Sequence, residues 1–189
     1  MKEIINIFLI FLVILTLNIS CGSSSKLYRL ENKNRVSSGK ISDSEFADLK
    51  RFLASINSRV KDTILIKYDY NYETCWNRLD EQNDDYIRKI ISGRQQTVIN
   101  HLKLRPEISI FNFREPGNNV NKIKKWDDSI IIDNNKTLYN LLFSQRSTCG
   151  NSIMIMPDRQ FIFIRSDSHS DILELTQNDI NDILNQPKK

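Results

Sequence analysis

From Ser42 onward, Phe46, Leu49, Leu53 and Ile56 recur at helical spacing, which predicts a helix with one buried face. Ser42 and Glu45 stand at capping-box spacing and mark its start. Between Thr63 and Tyr70 the period drops to two. Ile64, Ile66, Tyr68 and Tyr70 alternate with Leu65, Lys67 and Asp69, the signature of a strand. Ile87, Ile90, Ile91, Val98, Ile99 and Leu102 define a second helical region. Gly93 is expected to kink or weaken it and Pro106 to stop it.

Ile108 to Phe113 reads as a further strand. A loop containing Pro116-Gly117-Asn118-Asn119 leads to the short apolar run Ile130-Ile131-Ile132. Leu138, Leu141, Leu142 and Phe143 predict a short helix ending before Gly150. Ser152 to Met156 and Phe161 to Arg165 read as strands joined by Pro157-Asp158-Arg159-Gln160, a tight-turn sequence. Ile180, Ile183 and Leu184 set the buried side of a last helix. No internal repeat is visible.

The chain has 189 residues, 40% of them hydrophobic and only five of them glycine. That is one domain's worth of sequence with material for a single core. It excludes a disordered polar chain, a collagen-like chain and a polytopic membrane protein.

The N-terminus has a different character. Lys2 precedes the apolar run Ile4 to Ile19, which ends at Ser20-Cys21-Gly22-Ser23. The run is short for a spanning helix, which needs about 20 apolar residues. A basic residue, an apolar core and a small-residue end describe a secretory signal peptide. Leu17-Asn18-Ile19-Ser20-Cys21 resembles the lipobox of bacterial lipoproteins, with Asn18 where a small or apolar residue is usual. The resemblance implies that residues 1–20 are removed and that Cys21 is lipidated, placing the protein in the cell envelope on an extracytoplasmic membrane face. The alternative is an uncleaved N-terminal anchor helix. Residues 21–41 lack apolar periodicity and read as a tether, with the domain occupying 42–189.

With Cys21 carrying lipid, Cys75 and Cys149 remain, an even pair in an oxidising compartment. A disulfide between them would close a loop of about 75 residues and contribute on the order of 4 kcal/mol. Two buried cysteines that never meet are the other reading.

After the first helix the order is strand, helix, strand, helix, hairpin, helix, which argues for an α/β sheet with an antiparallel edge at the hairpin. This order looks like a thioredoxin-like fold over roughly residues 42 to 185. The resemblance implies that Cys75, following the Thr63–Tyr70 strand at a helix start, stands where that family keeps its reactive cysteines. It also implies that Cys149, just before Ser152, lies close to Cys75 in space. The segment Tyr72-Glu73-Thr74-Cys75-Trp76-Asn77-Arg78 has no Cys-x-x-Cys, and Gly150-Asn151 stands where the family's proline would be. A thiolate at a helix N-terminus would have a lowered pKa and raised reactivity.

Other candidates are weaker. His101 and His169 have no second ligand at metal-binding spacing, so neither a metal nor a cofactor is expected. Ser166-Asp167-Ser168-His169-Ser170-Asp171 places Ser, His and Asp side by side, but triads assemble from distant positions. The run reads better as a strand-to-helix turn with capping side chains. Asp80, Glu81, Asp84 and Asp85 suit a helix start and lack the glycine and spacing of a calcium loop. Lys122-Ile123-Lys124-Lys125-Trp126 is neutralised by Asp127-Asp128, so nucleic acid is not an expected partner.

Net charge is +4. Residues 21–41 hold Lys26, Arg29, Lys33, Arg35 and Lys40 against Glu31, so the whole excess lies in the tether, next to the expected anchor. There it would meet anionic headgroups or serve as a solubilising linker. The expected function is a membrane-anchored lipoprotein whose domain binds a protein partner or plays an envelope-structural role without catalysis. The alternatives are a thiol–disulfide oxidoreductase using Cys75 and Cys149, and an immunity-type inhibitor lipoprotein.

Overall fold

The computed structural model describes residues 34–56, 59–71, 73, 79–117 and 123–186. Cys21, Cys75 and the expected signal peptide at 1–20 lie outside these residues. One six-stranded mixed sheet organises the domain, in the order β1 (Val36–Lys40), β6 (Gln160–Ile164), β5 (Asn151–Ile155), β2 (Thr63–Asp69), β3 (Ile108–Arg114), β4 (Ile130–Ile132). Strands β2, β3 and β4 run parallel. The β5–β6 hairpin is antiparallel, as are the β2–β5 and β1–β6 pairs. The class is the α/β expected, and strand β2, helix, strand β3, helix, hairpin and terminal helix follow in the expected order, with β4 added after β3.

Among the described residues the helices include α1 (Asp43–Ser55), α2 (Asp84–Leu104), α3 (Thr137–Leu141), α4 (Asp171–Glu174) and α5 (Gln177–Asn185). The capping box of α1 is formed, with the Ser42 hydroxyl accepting from Glu45 N and the Glu45 carboxylate accepting from Ser42 N. These bonds satisfy donors that a helix start leaves unpaired. A second box, Thr176 with Asp179, starts α5.

The period-two pattern of β2 divides the interior between the two faces of the sheet. Ile64, Ile66 and Tyr68 join Leu49 and Leu53 of α1, Leu138, Phe143 and Phe113 in one core. Leu65 faces the other way, with Ile108, Met154, Ile162, Ile172 and Ile180. Ile87 and Ile91 of α2 pack there with Ile123 and Ile130.

Two local expectations are corrected. The segment read as an unstructured tether to residue 41 supplies β1, so the hairpin is not the edge of the sheet. β1 is nearly devoid of large apolar side chains. It holds its place through a backbone ladder from Val36↔Ile164 to Lys40↔Gln160, with Gly39 so close to the Phe161 ring that a Cβ would lie 2.8 Å away. Helix α2 runs through Gly93 without interruption, so the kink expected there is absent. Helix α2 begins at Asp84, capped by Asn83, and the helix start expected at Cys75 lies outside the described residues.

Candidate functional site

On the α2 side of the sheet, apolar residues give way to charged ones toward the carboxyl ends of the parallel strands. Along β2 the inward series is Leu65, Lys67, Asp69, and along β3 it is Ile108, Ile110, Asn112, Arg114. Register puts Lys67 beside Asn112 on one flank and Ser152 on the other, and Asp69 beside Arg114. The carboxyl ends of strands in open α/β sheets are where crevices form. Here a recess of about 230 Å³ opens at that place.

Lys67 is 6% exposed and donates its ammonium to the Asp167 carbonyl oxygen. Its Nζ lies 3.8 Å from Asp69 Oδ1. Arg94, reaching in from α2, donates Nη2 to Asn112 Oδ1 and brings Nη1 to 3.8 Å from Asp69 Oδ2. Burial pushes the Asp69 carboxyl up, but the charges of Lys67, Arg94 and Arg114 outweigh it and hold the group below the usual carboxylate range. Asp69 is therefore an ionised counter-charge to these cations at neutral pH.

One wall is the loop between β6 and α4. Ser166 and Ser170 adopt left-handed backbone angles, φ 49° and 61°, which is uncommon for a residue with a Cβ. The loop is held from several directions. Ser166 N donates to Asn151 Oδ1 at 3.0 Å, and Asp167 N donates to the Gly150 carbonyl at 2.7 Å. The buried Asp167 carboxylate accepts from Asp171 N at 2.6 Å and from Ile172 N at 3.4 Å, which starts α4. The Ser166–Asp171 run is thus the capped strand-to-helix turn that its composition suggests. Ser168, His169 and Ser170 line the recess.

The acidic lining is Asp69, Glu73 and Asp127. Asp127 Oδ1 accepts from both the amide and the hydroxyl of Ser129, which closes a turn before β4. Leu79, Ile90, Ile91, Ile123, Ile130 and Leu173 make the rest of the surface apolar. Trp126 stays outside the recess, its ring covered by the Arg88 guanidinium at 4.1 Å and the Lys125 ammonium at 4.9 Å.

Of the cysteines singled out in the sequence, Cys149 lines the recess at 5% exposure, and its amide donates to Ser166 Oγ at 3.4 Å. Among the described residues no group of three His, Cys, Asp or Glu side chains is placed to hold a metal ion. His101 lies apart from the recess, 3.2 Å from Glu174. Lys67, Asp69, Arg94 and Arg114 escaped the sequence reading. For Lys67, Asp69 and Arg114 the signal was present in the two strands, where every second residue changes from apolar to polar or charged near the strand end.

A second buried polar network occupies the same end of the sheet. Glu115 receives Arg146 and the Asn71 amide (3.0 Å), with Lys136 at 3.7 Å. Asp133 accepts from Thr137 N at 2.8 Å, Tyr139 N at 2.9 Å and Tyr68 Oη at 3.2 Å. It thereby fixes α3, whose N-cap residue, Lys136, supplies no side-chain bond. These bonds position the strand ends without entering the recess.

No protein-family model matches the chain, and no characterised protein matches it in sequence. Among solved structures it is similar to a secreted Mycobacterium tuberculosis disulfide oxidoreductase homologous to E. coli DsbE, at 5% identity and a TM-score of 0.37. The likeness covers 65% of this chain and 79% of that one. At that level it says nothing about activity. Among the described residues, no helix is long and apolar enough to cross a membrane.

Proposed function

We propose that the protein is an exported lipoprotein, anchored through Cys21, whose thioredoxin-like domain binds a ligand or partner without catalysing a reaction. The observation that carries this reading is the burial of Cys149 in the recess wall at 5% exposure. A sulfur so buried is poorly placed to be the one that attacks a substrate disulfide, or is attacked by it, to form a mixed disulfide.

Membrane fractionation of the full chain tests the anchor. Cys21→Ser is expected to release the protein into the soluble fraction, and unchanged membrane retention would refute lipid anchoring.

The second reading, an oxidoreductase using Cys75 and Cys149, is favoured by the position of Cys149 on the recess. An insulin-reduction assay separates the two. Binding without catalysis predicts no turnover above the uncatalysed rate. Turnover abolished by Cys75→Ser, with an unchanged circular dichroism spectrum, would establish the oxidoreductase instead.

A further inference from the structure

Counting donors and acceptors in the recess shows which charges are already spent. An ammonium has three N–H donors and a guanidinium five. Lys67 commits one, to the Asp167 carbonyl, and Arg94 commits one, to Asn112 Oδ1. Each stands 3.8 Å from the Asp69 carboxylate, beyond hydrogen-bond length. On the acidic side, Asp127 Oδ1 accepts from Ser129, and Glu73 has a partner of its own. The unspent N–H donors at the β2 end belong to Lys67 and Arg94. With Arg114 they make three cations, which Asp69, Glu73 and Asp127 balance, so the case for an anion rests on where these donors lie and not on net charge. Ile90, Ile91, Ile123 and Ile130 supply apolar surface to the same recess, and a volume of about 230 Å³ is small for a ligand pocket.

We propose that the recess binds a small organic oxyanion, a carboxylate or phosphate monoester carrying an apolar body. Lys67 and Arg94 hold the charged oxygens, while Ile90, Ile91 and Ile123 contact the body. This rests on the reading of the domain as a binding module. A planar guanidinium and a buried ammonium suit paired oxyanion oxygens, and charge-assisted bonds in a partly dry site are stronger than their exposed counterparts. Burial of Lys67 fixes its direction, so little side-chain entropy remains to be lost on binding.

The test titrates the detergent-solubilised full chain with benzoate, phenyl phosphate, benzamide and inorganic phosphate by calorimetry. Benzoate or phenyl phosphate is expected to bind at least tenfold more tightly than benzamide, which keeps the ring and loses the charge. The same margin is expected over inorganic phosphate, which keeps the charge and loses the ring. The tighter of the two ring anions identifies the carboxylate or the phosphate source. Arg94→Gln should weaken it at least tenfold. If that variant folds poorly, salt titration of the wild type gives the same information, because added salt should weaken benzoate or phenyl phosphate and leave benzamide unaffected. Equal affinity for charged and neutral rings, inorganic phosphate binding as well as phenyl phosphate, or no binding of either ring anion overturns the proposal. Absence of anion binding together with absence of insulin reduction would remove this ligand class and leave the non-catalytic reading standing.

Discussion

Gly150 lies against the side chain of Asp69 so closely that a methyl group on its Cα would overlap the carboxylate and sit 2.9 Å from the Tyr68 carbonyl oxygen. Nothing about its φ requires glycine, since no glycine among the described residues has a positive φ. The requirement is room for the central carboxylate of the recess. Gly150→Ala is therefore expected to destabilise the fold by about 1–3 kcal/mol, the usual range for overpacking a filled site. Gly93→Ala should act in the opposite direction. A Cβ there meets nothing within 4 Å, and helix propensity favours alanine by about 1 kcal/mol. Urea midpoints of the two variants moving the same way would contradict this account.

Asp69 makes stability depend on pH with a definite sign. Its carboxyl is held below the usual range in the folded state, against burial and by three cations. Its contribution is thus fully present above the unfolded value of about 3.9 and is lost as pH falls through the folded value. Asp69→Asn should be less stable than wild type at neutral pH, and the gap should narrow below about pH 4. A gap of constant size from neutral to strongly acid conditions, measured by urea unfolding, would show that the charge of Asp69 is not what stabilises it.

Asp133 holds three donors at once, two of them at the start of α3. Asp133→Ala would orphan two amides and the Tyr68 hydroxyl, at a cost of roughly 3 kcal/mol. Asp133→Asn retains one acceptor oxygen and should lose about half as much. Thermal or urea unfolding measures both. Equal losses in the two variants would mean that the carboxylate charge matters more than the bond count.

Ser170 has φ 61° with no side-chain bond capping α4. Glycine takes this conformation without the Cβ penalty. Ser170→Gly should therefore stabilise the protein by about 0.5–1 kcal/mol, read as a raised unfolding midpoint. A lowered midpoint would mean that the Ser170 side chain contributes to the loop beyond its backbone geometry.

The elements legible beforehand were those whose signal is local. The Ser42–Glu45 box, the alternation in β2 and the 3.6-residue pattern of α2 each state their own conformation, because one face of each element is buried. β1 carried no such signal. Its place depends on the unpaired edge of β6, more than a hundred residues away, and on the space that Gly39 leaves for Phe161.

The candidate site divides in the same way. The sequence by itself determined that Lys67 and Asp69 share a strand face with Leu65, and that Asn112 and Arg114 share one with Ile108 and Ile110, since alternation follows from strand geometry alone. It also determined that Ser166–Asp171 would be a turn. That Asp69 stands beside Arg114, that Arg94 reaches across from a helix, and that Gly150 makes room for the carboxylate were decided only by the tertiary structure. Strand register and helix placement are set by packing over the whole sheet, and no local pattern of residues encodes which distant charge will become a neighbour.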